Sequence, residues 1–185
     1  MNTRKSAAWI VTPALLVGGF LMASPAAFAG EPQDSEQVSK LLSGAKTMAY
    51  QLREDAATME SYTRIDMSWA SHAETVTQIK EHINALARQE AKLKEARSMA
   101  SPWQKTAIDR INPFLDELGG YTSAVIEHIN GNHSAHTMAE YKDYLEANSD
   151  YASDLAAMIS DFVDYGKAKQ RMERMGGKLE VPGER

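Results

Sequence analysis

The chain has 185 residues, no cysteine and a formal net charge of −5 at pH 7. The absence of cysteine excludes disulfides, thiolate zinc sites, iron–sulfur clusters, thiol nucleophiles and covalently attached c-type haem. The acidic balance argues against nucleic acid and anionic lipid surfaces as main partners. The length fits one domain that can bury a substantial core.

The first 29 residues have the organisation of a secretory signal peptide. Arg4 and Lys5 supply a positive start, residues 7–22 are apolar, and small residues occupy the two positions that signal peptidase reads before Ala29. The apolar run is shorter than the about 20 residues that a spanning helix needs. We therefore expect cleavage after Ala29, no stable membrane anchor after cleavage, and a periplasmic or secreted mature chain.

A short polar linker, residues 30–35, precedes the first of four amphipathic helices. In the first helix, apolar residues recur at alternating steps of four and three, which is typical of a helix that packs against other helices. They are Val38, Leu42, Ala45, Ala49, Leu52, Ala56 and Met59.

The second helix repeats this spacing and is predicted to end near Met99. Its stripe comprises Ile65, Trp69, His72, Val76, Ile79, Ile83, Leu86, Glu90 and Leu93. The boundary before it is predicted near residues 61–66, with Thr63 and Asp66 as a predicted partial cap.

The third helix has a clear start at residues 101–104. Ser101 is the predicted cap, Pro102 the first helical residue, and Gln104 reaches back to the cap. The stripe then comprises Ile108, Ile111, Leu115, Leu118, Thr122, Val125 and Ile129. Pro113 predicts a kink or a restart of the helix.

The fourth helix is predicted to begin near Thr137, which forms a capping box with Glu140. Its stripe comprises Tyr141, Leu145, Asn148, Ala152, Leu155, Ile159 and Phe162. A second row at sevenfold spacing widens this face, and it comprises Tyr144, Tyr151, Met158 and Tyr165. The pair Gly176-Gly177 predicts the helix end and a flexible tail over 176–185.

Four long stripes joined by short connections predict an all-α fold. No strand-type alternation of useful length occurs in the sequence. Short connections favour antiparallel neighbours. We therefore expect an up-down-up-down antiparallel four-helix bundle over residues 36–175.

Three polar residues occupy core positions of the predicted stripes. At 1.5 Å rise per residue, His72, Thr122 and Asn148 fall at about the same height in an antiparallel bundle. Such a buried polar layer either fixes the alignment of the helices or forms a ligand, haem or metal site between them. One imidazole, one hydroxyl and one amide are a poor metal set, so we expect the structural role.

A second group of imidazoles surrounds the loop between the third and fourth helices. His128, His133 and His136 have a spacing that suits zinc, copper or nickel. An exposed loop of this composition is more often a solvated connection. The sequence also indicates no neighbouring groups that would orient the imidazoles toward a metal. We therefore expect no metal or other cofactor.

The tyrosines of the fourth helix have two interpretations. Tyr144, Tyr151 and Tyr165 either pack at the edge of the core or form an amphipathic patch for a protein partner, since tyrosine is favoured at interfaces. Both interpretations place the rings beside the apolar stripe.

Several short motifs resemble one family of secreted proteins. The segments are Trp69-Ala70-Ser71-His72-Ala73, Ile79-Lys80-Glu81-His82-Ile83-Asn84, Ser101-Pro102-Trp103-Gln104, Ala107-Ile108-Asp109-Arg110-Ile111 and Asp161-Phe162-Val163-Asp164-Tyr165-Gly166. They are similar to an uncharacterised family of acidobacterial genomes. The resemblance implies a bacterial envelope location and no particular activity.

No catalytic motif is recognisable in the sequence. We expect a non-enzymatic exported envelope protein, monomeric or weakly dimeric, that binds or scaffolds another envelope protein and not nucleic acid. The alternative is a small-ligand, haem or metal carrier with a site inside the bundle around His72.

Overall fold

The structure of the protein is a computed structural model that describes residues 33–65, 67–131 and 139–179. It contains four long helices, which are α1 (Glu36–Ser61), α2 (Trp69–Glu95), α3 (Pro102–Gly131) and α4 (Ala139–Leu179). Short 3₁₀ turns follow α1 (Tyr62–Arg64) and α2 (Ala96–Met99). The described ranges contain no strand, so the predicted all-α fold is confirmed.

The four helices form a closed antiparallel square. Each helix packs against the next one in the chain, and α4 returns against α1. α1 and α4 are antiparallel, because contacts further along α1 meet residues earlier in α4. Asp34, just before α1, contacts Lys169, whereas Lys46 contacts Asp164. The predicted up-down-up-down four-helix bundle is therefore confirmed.

The predicted stripes meet in one apolar core. Leu52, Ile83, Val125 and Leu155, one from each helix, are all buried. Every predicted stripe residue of α1 and α3 is buried, because helical spacing places these side chains on one face. Removal of this apolar surface from water is the main stabilising contribution to the bundle.

Gln104 fixes both the start of α3 and the entry of the chain into α1. Its Oε1 accepts a hydrogen bond from the Ser101 N–H at 3.0 Å, which confirms that Gln104 reaches back to Ser101 as predicted. The same oxygen accepts from the Ser35 N–H at 3.0 Å, and the Gln104 amide nitrogen donates to the Ser35 carbonyl at 2.9 Å. A single buried amide therefore joins the chain before α1 to the first turn of α3.

The prediction that Ile65 lies on the core stripe of α2 is wrong. Its side chain is 56% exposed, and α2 begins only at Trp69. Ser68 has extended backbone and its hydroxyl accepts from the Ser71 N–H at 3.2 Å, so it caps the helix in place of the predicted Thr63. A serine cap with extended backbone satisfies the first free donors of the helix better than a position still within the turn.

The predicted alternative of a helix restart at Pro113 and the predicted helix end at Gly176-Gly177 are both absent. α3 continues through Pro113, and α4 continues through Gly176 to Leu179. Proline removes one donor and glycine lowers helix stability by about 1 kcal/mol, but neither obliges a helix to end where packing or a long hydrogen-bonded ladder sustains it. Residues 176–179, predicted to begin the tail, therefore belong to α4.

Some predictions fall on parts of the chain outside the described residues. These are the signal peptide and its cleavage site, the linker before residue 33, Thr137, His133, His136 and the tail after residue 179. Within the described part of the chain, no helix combines the length and apolar character that crossing a membrane requires.

Candidate functional site

His72 lies in the first turn of α2 and hydrogen-bonds Tyr141. The His72 Nδ1 and the Tyr141 hydroxyl are 2.8 Å apart, and both side chains are almost completely buried. The Tyr62 ring meets the imidazole edge-on at 5.2 Å between centroids. Burial raises the pKa of the Tyr141 hydroxyl above its usual value. His72 is therefore part of the packed end of the bundle.

Thr122 and Asn148 form a second buried pair. The Thr122 hydroxyl donates to the Asn148 Oδ1 at 3.2 Å. The predicted burial of all three polar residues is confirmed. The predicted single layer is wrong, because Tyr141 and Asn148 are two turns, or about 10 Å, apart along α4. The late start of α2 at Trp69 shifts His72 toward the end of the bundle.

His128 lies near the end of α3 and packs between two tyrosines of α4. Its ring is 5.4 Å from that of Tyr144 and stacks at 6.4 Å on that of Tyr141. Its Nε2 is 3.5 Å from a Glu140 carboxylate oxygen. The described residues contain no group of three or more histidine, aspartate or glutamate side chains that could hold a metal ion.

Aromatic side chains concentrate along one seam of the bundle. Seven of the eleven phenylalanine, tyrosine and tryptophan residues in the described ranges lie where α3 and α4 meet at the surface. We call this surface the aromatic face; its members are Trp103, Phe114, Tyr121, Tyr144, Tyr151, Phe162 and Tyr165. It is the most distinctive surface of the molecule.

The upper half of the aromatic face is a ladder of touching rings. Tyr121 of α3 lies between two tyrosines of α4, with centroid distances of 6.4 Å to Tyr144 and 5.5 Å to Tyr151. Phe114 extends the ladder, at 6.2 Å from Tyr151. These rings are half-buried, so each one keeps part of its surface available to a partner.

Carboxylates surround this ladder. The pKa of Tyr144 is raised by its hydrogen bond to Glu140 (2.9 Å) and by the neighbouring charges of Glu140, Asp143 and Glu127. The pKa of Tyr151 is raised first by Glu117, with Asp154 contributing. All these charges are negative, so the ladder lies in a field that attracts cations.

The lower half of the aromatic face contains an open groove. Its volume is about 700 Å³, and its aromatic lining comprises Trp103, Phe114, Phe162 and Tyr165. Asp154 and Asp161 line the groove together with Met158 and Arg110. The Arg110 guanidinium carbon is 5.9 Å from the centroid of the Phe162 ring, which shows that this surface accommodates a cation beside an aromatic ring.

Trp103 is held rigidly at the end of the groove. Its indole N–H donates to Asp34 Oδ1 at 2.7 Å, and the same oxygen accepts from the Lys169 ammonium at 3.1 Å. Burial alone raises the pKa of Asp34, but the nearby Ser101 hydroxyl, Lys169 and Trp103 together outweigh it and lower that pKa. A Cβ at Gly166 would lie 2.7 Å from the indole ring, so only glycine allows this close approach.

The structure divides the three tyrosines predicted as a partner surface. Tyr144 and Tyr151 belong to the same ladder, joined through Tyr121, whereas Tyr165 packs edge-on against Trp103 at 5.4 Å and is 54% exposed. The contribution of α3 to this surface was not predicted from the sequence. The sevenfold spacing of Phe114 and Tyr121 beside the α3 stripe was the available signal.

The chain matches no protein-family model, no curated protein and no solved structure. The resemblance to a secreted acidobacterial family therefore stays an expectation from the sequence. The aromatic face and the N-terminal segment are therefore the two features that bear on function.

Proposed function

We propose that the protein is a non-enzymatic exported binding module that holds a basic segment of another envelope protein on the ladder of its aromatic face. The observation that carries this proposal is the coincidence of half-buried tyrosine rings with a rim of carboxylates. Tyr144 and Tyr151 are the proposed anchors, and Glu117, Asp143 and Asp154 supply the negative field.

Interface chemistry supports this choice of partner. Tyrosine combines a large apolar ring with a hydroxyl and is enriched at protein interfaces. Lysine and arginine side chains bind favourably over such rings, by about 0.5–1 kcal/mol at exposed sites. Carboxylates around the rings speed the encounter with a basic segment and disfavour an acidic one.

The partner is proposed to be an envelope protein because of the N-terminal segment. Processing after Ala29 would leave Gly30 as the first residue, a few residues before Asp34 and the first turn of α1. Mass spectrometry of the protein from its native envelope fraction tests this step. An N-terminus at Gly30 is expected, and a chain that keeps residues 1–29 in the cytoplasm contradicts it.

Binding can be measured with defined peptide probes. We expect an amphipathic helical peptide with lysine at its polar positions to bind the protein, with affinity that falls as salt is raised. The same peptide with glutamate in place of lysine should not bind. The change Tyr144→Ser with Tyr151→Ser should weaken binding of the lysine peptide by tenfold or more, because it removes two anchors.

Tyr50 provides the matched control for these substitutions. It is a half-buried tyrosine of α1 whose ring neighbours are cations, with the Arg53 guanidinium carbon 4.5 Å from its centroid. Tyr50→Ser should leave binding of the lysine peptide unchanged. Equal loss in Tyr50→Ser and in the double variant, or equal binding of both peptides, would overturn the proposal.

A further inference from the structure

α4 extends beyond the bundle that it helps to form. It has 41 residues, whereas the other three helices have 26, 27 and 30. Lys169, which reaches Asp34, is the last α4 residue with a described hydrogen bond or ion pair to another part of the bundle. The side chains from Gln170 to Met175 are exposed. We call residues 170–179 the overhang.

An apolar row continues from the groove onto the overhang. Four of the six large hydrophobic side chains that are exposed in the described ranges lie here: Tyr165, Met172, Met175 and Leu179. We call the complete row the seam; it comprises Met158, Tyr165, Ala168, Met172, Met175 and Leu179. The first two residues are seven apart, and the later ones follow at alternating steps of three and four. This is the spacing of helices that pair as coiled coils. An exposed row of this kind indicates a helical partner.

The charges of α4 change sign along the seam. Asp154, Asp161 and Asp164 precede Tyr165 or lie beside it, whereas Lys167, Lys169, Arg171, Arg174 and Lys178 follow it, with Glu173 as the only acidic residue among them. Two copies of this segment aligned in parallel would place like charges together. Aligned antiparallel about Ala168, they place Asp164 of one copy beside Arg171 of the other, since both residues flank the seam on the same side and lie at nearly equal distances from Ala168. The charge pattern therefore favours a second copy in the antiparallel orientation.

We propose that the chain forms a two-fold symmetric antiparallel dimer through the seam, in which the overhang of each copy lies along the groove of the other. At 1.5 Å per residue, the ten-residue overhang is about 15 Å long and the groove from Asp154 to Tyr165 is about 18 Å long, so the overhang fits within the groove. Ala168 lies near the symmetry axis and allows the two helices to approach closely. The arrangement is closed, since each copy gives and receives one overhang.

The residues in contact have complementary chemistry. Met172 and Met175 of one copy reach the rings of Trp103, Phe162 and Tyr165 of the other, and methionine sulfur packs favourably against aromatic edges. Arg171 of each copy reaches Asp164 of the other beside the seam. This dimer uses the lower half of the aromatic face and leaves the ladder with Tyr144 and Tyr151 accessible, so it goes beyond the proposed partner binding.

Charge reversal tests the dimer and its pairing. Sedimentation equilibrium of the wild type should show a concentration-dependent dimer. Asp164→Arg and Arg171→Asp should each raise the dissociation constant at least tenfold, and the double variant should restore most of the affinity, because the pairs re-form with reversed sign. Glu146→Arg, at an exposed site on α4 away from the seam, is the matched control and should dimerise like the wild type.

Disulfide cross-linking tests the orientation, since the chain has no cysteine of its own. Ala168→Cys should form a disulfide-linked dimer on mild oxidation, and a mixture of Met158→Cys with Leu179→Cys should form the mixed dimer. Leu179→Cys alone should remain unlinked, and its efficient cross-linking would indicate parallel pairing and overturn the proposal. A wild type that stays monomeric at high concentration, including one whose overhang instead binds anionic vesicles, would also overturn it.

Discussion

Tyr141 joins two of the four histidines that the sequence singled out. Its hydroxyl bonds His72 at 2.8 Å, and its ring stacks on His128 at 6.4 Å. The spacing of α2 placed His72 in the core, because burial follows from helical periodicity. Its partner was not predictable, because the relative height of two helices depends on where each one begins.

Tyr141→Phe should destabilise the protein by about 1–3 kcal/mol, because it leaves a buried imidazole nitrogen without its hydroxyl partner. Urea unfolding monitored by circular dichroism measures the change. The half-buried Tyr50 is the control, and Tyr50→Phe should change the unfolding free energy by less than about 0.5 kcal/mol. Equal stability of the two variants would mean that the hydrogen bond to His72 contributes nothing measurable.

Asp34 should make stability depend on acidic pH. Its pKa is lowered in the folded state, so its contribution is present above the ordinary aspartate pKa of about 4 and is lost as the pH falls through that range and below. Asp34→Asn should lower the unfolding free energy by about 1 kcal/mol at pH 7. The difference from the wild type should shrink as the pH is lowered to 3. A difference that is the same at both pH values would contradict this role of the carboxylate.

At the scale of elements, the side chains that each helix buries were predictable from its own sequence. The stripes of α1 and α3 are local consequences of 3.6 residues per turn, and the structure buries them as expected. Helix ends were less predictable, because Ser68 competes with Thr63 as a cap and because glycine permits a helix to end without forcing it to. Only the α4 part of the aromatic face was predicted, since the complete surface requires α3 and α4 to lie side by side.

Two glycines of the helices should respond in opposite ways to alanine. Gly166→Ala would place its Cβ 2.7 Å from the Trp103 ring, so the indole must move and the protein should lose about 1–3 kcal/mol. Gly120→Ala meets no atom within 4 Å and should gain up to about 1 kcal/mol from helix propensity. Thermal unfolding of both variants checks the pair, and a stabilising Gly166→Ala would show that Trp103 is not tightly seated.

At the scale of the whole molecule, the bundle presents two distinct surfaces on one side. The ladder around Tyr151 combines aromatic rings with carboxylates, whereas the overhang combines Met172 and Met175 with cations. The net negative charge of the whole chain does not reveal the separate acidic and basic surfaces. Composition therefore argued against nucleic acid and anionic lipid as partners but did not indicate a partner. The spatial separation of acidic and basic surfaces allows partner binding and self-association to be tested independently.

Site-specific photo-cross-linking in the native envelope tests the proposed function most directly. A benzoylphenylalanine at position 151, on the ladder, should cross-link to one protein through a segment rich in lysine and arginine, whereas the same probe at position 50 should not. Mass spectrometry of the cross-linked peptides identifies that segment. Equal cross-linking from positions 151 and 50, or attachment at position 151 to an acidic segment, would contradict the role of the aromatic face.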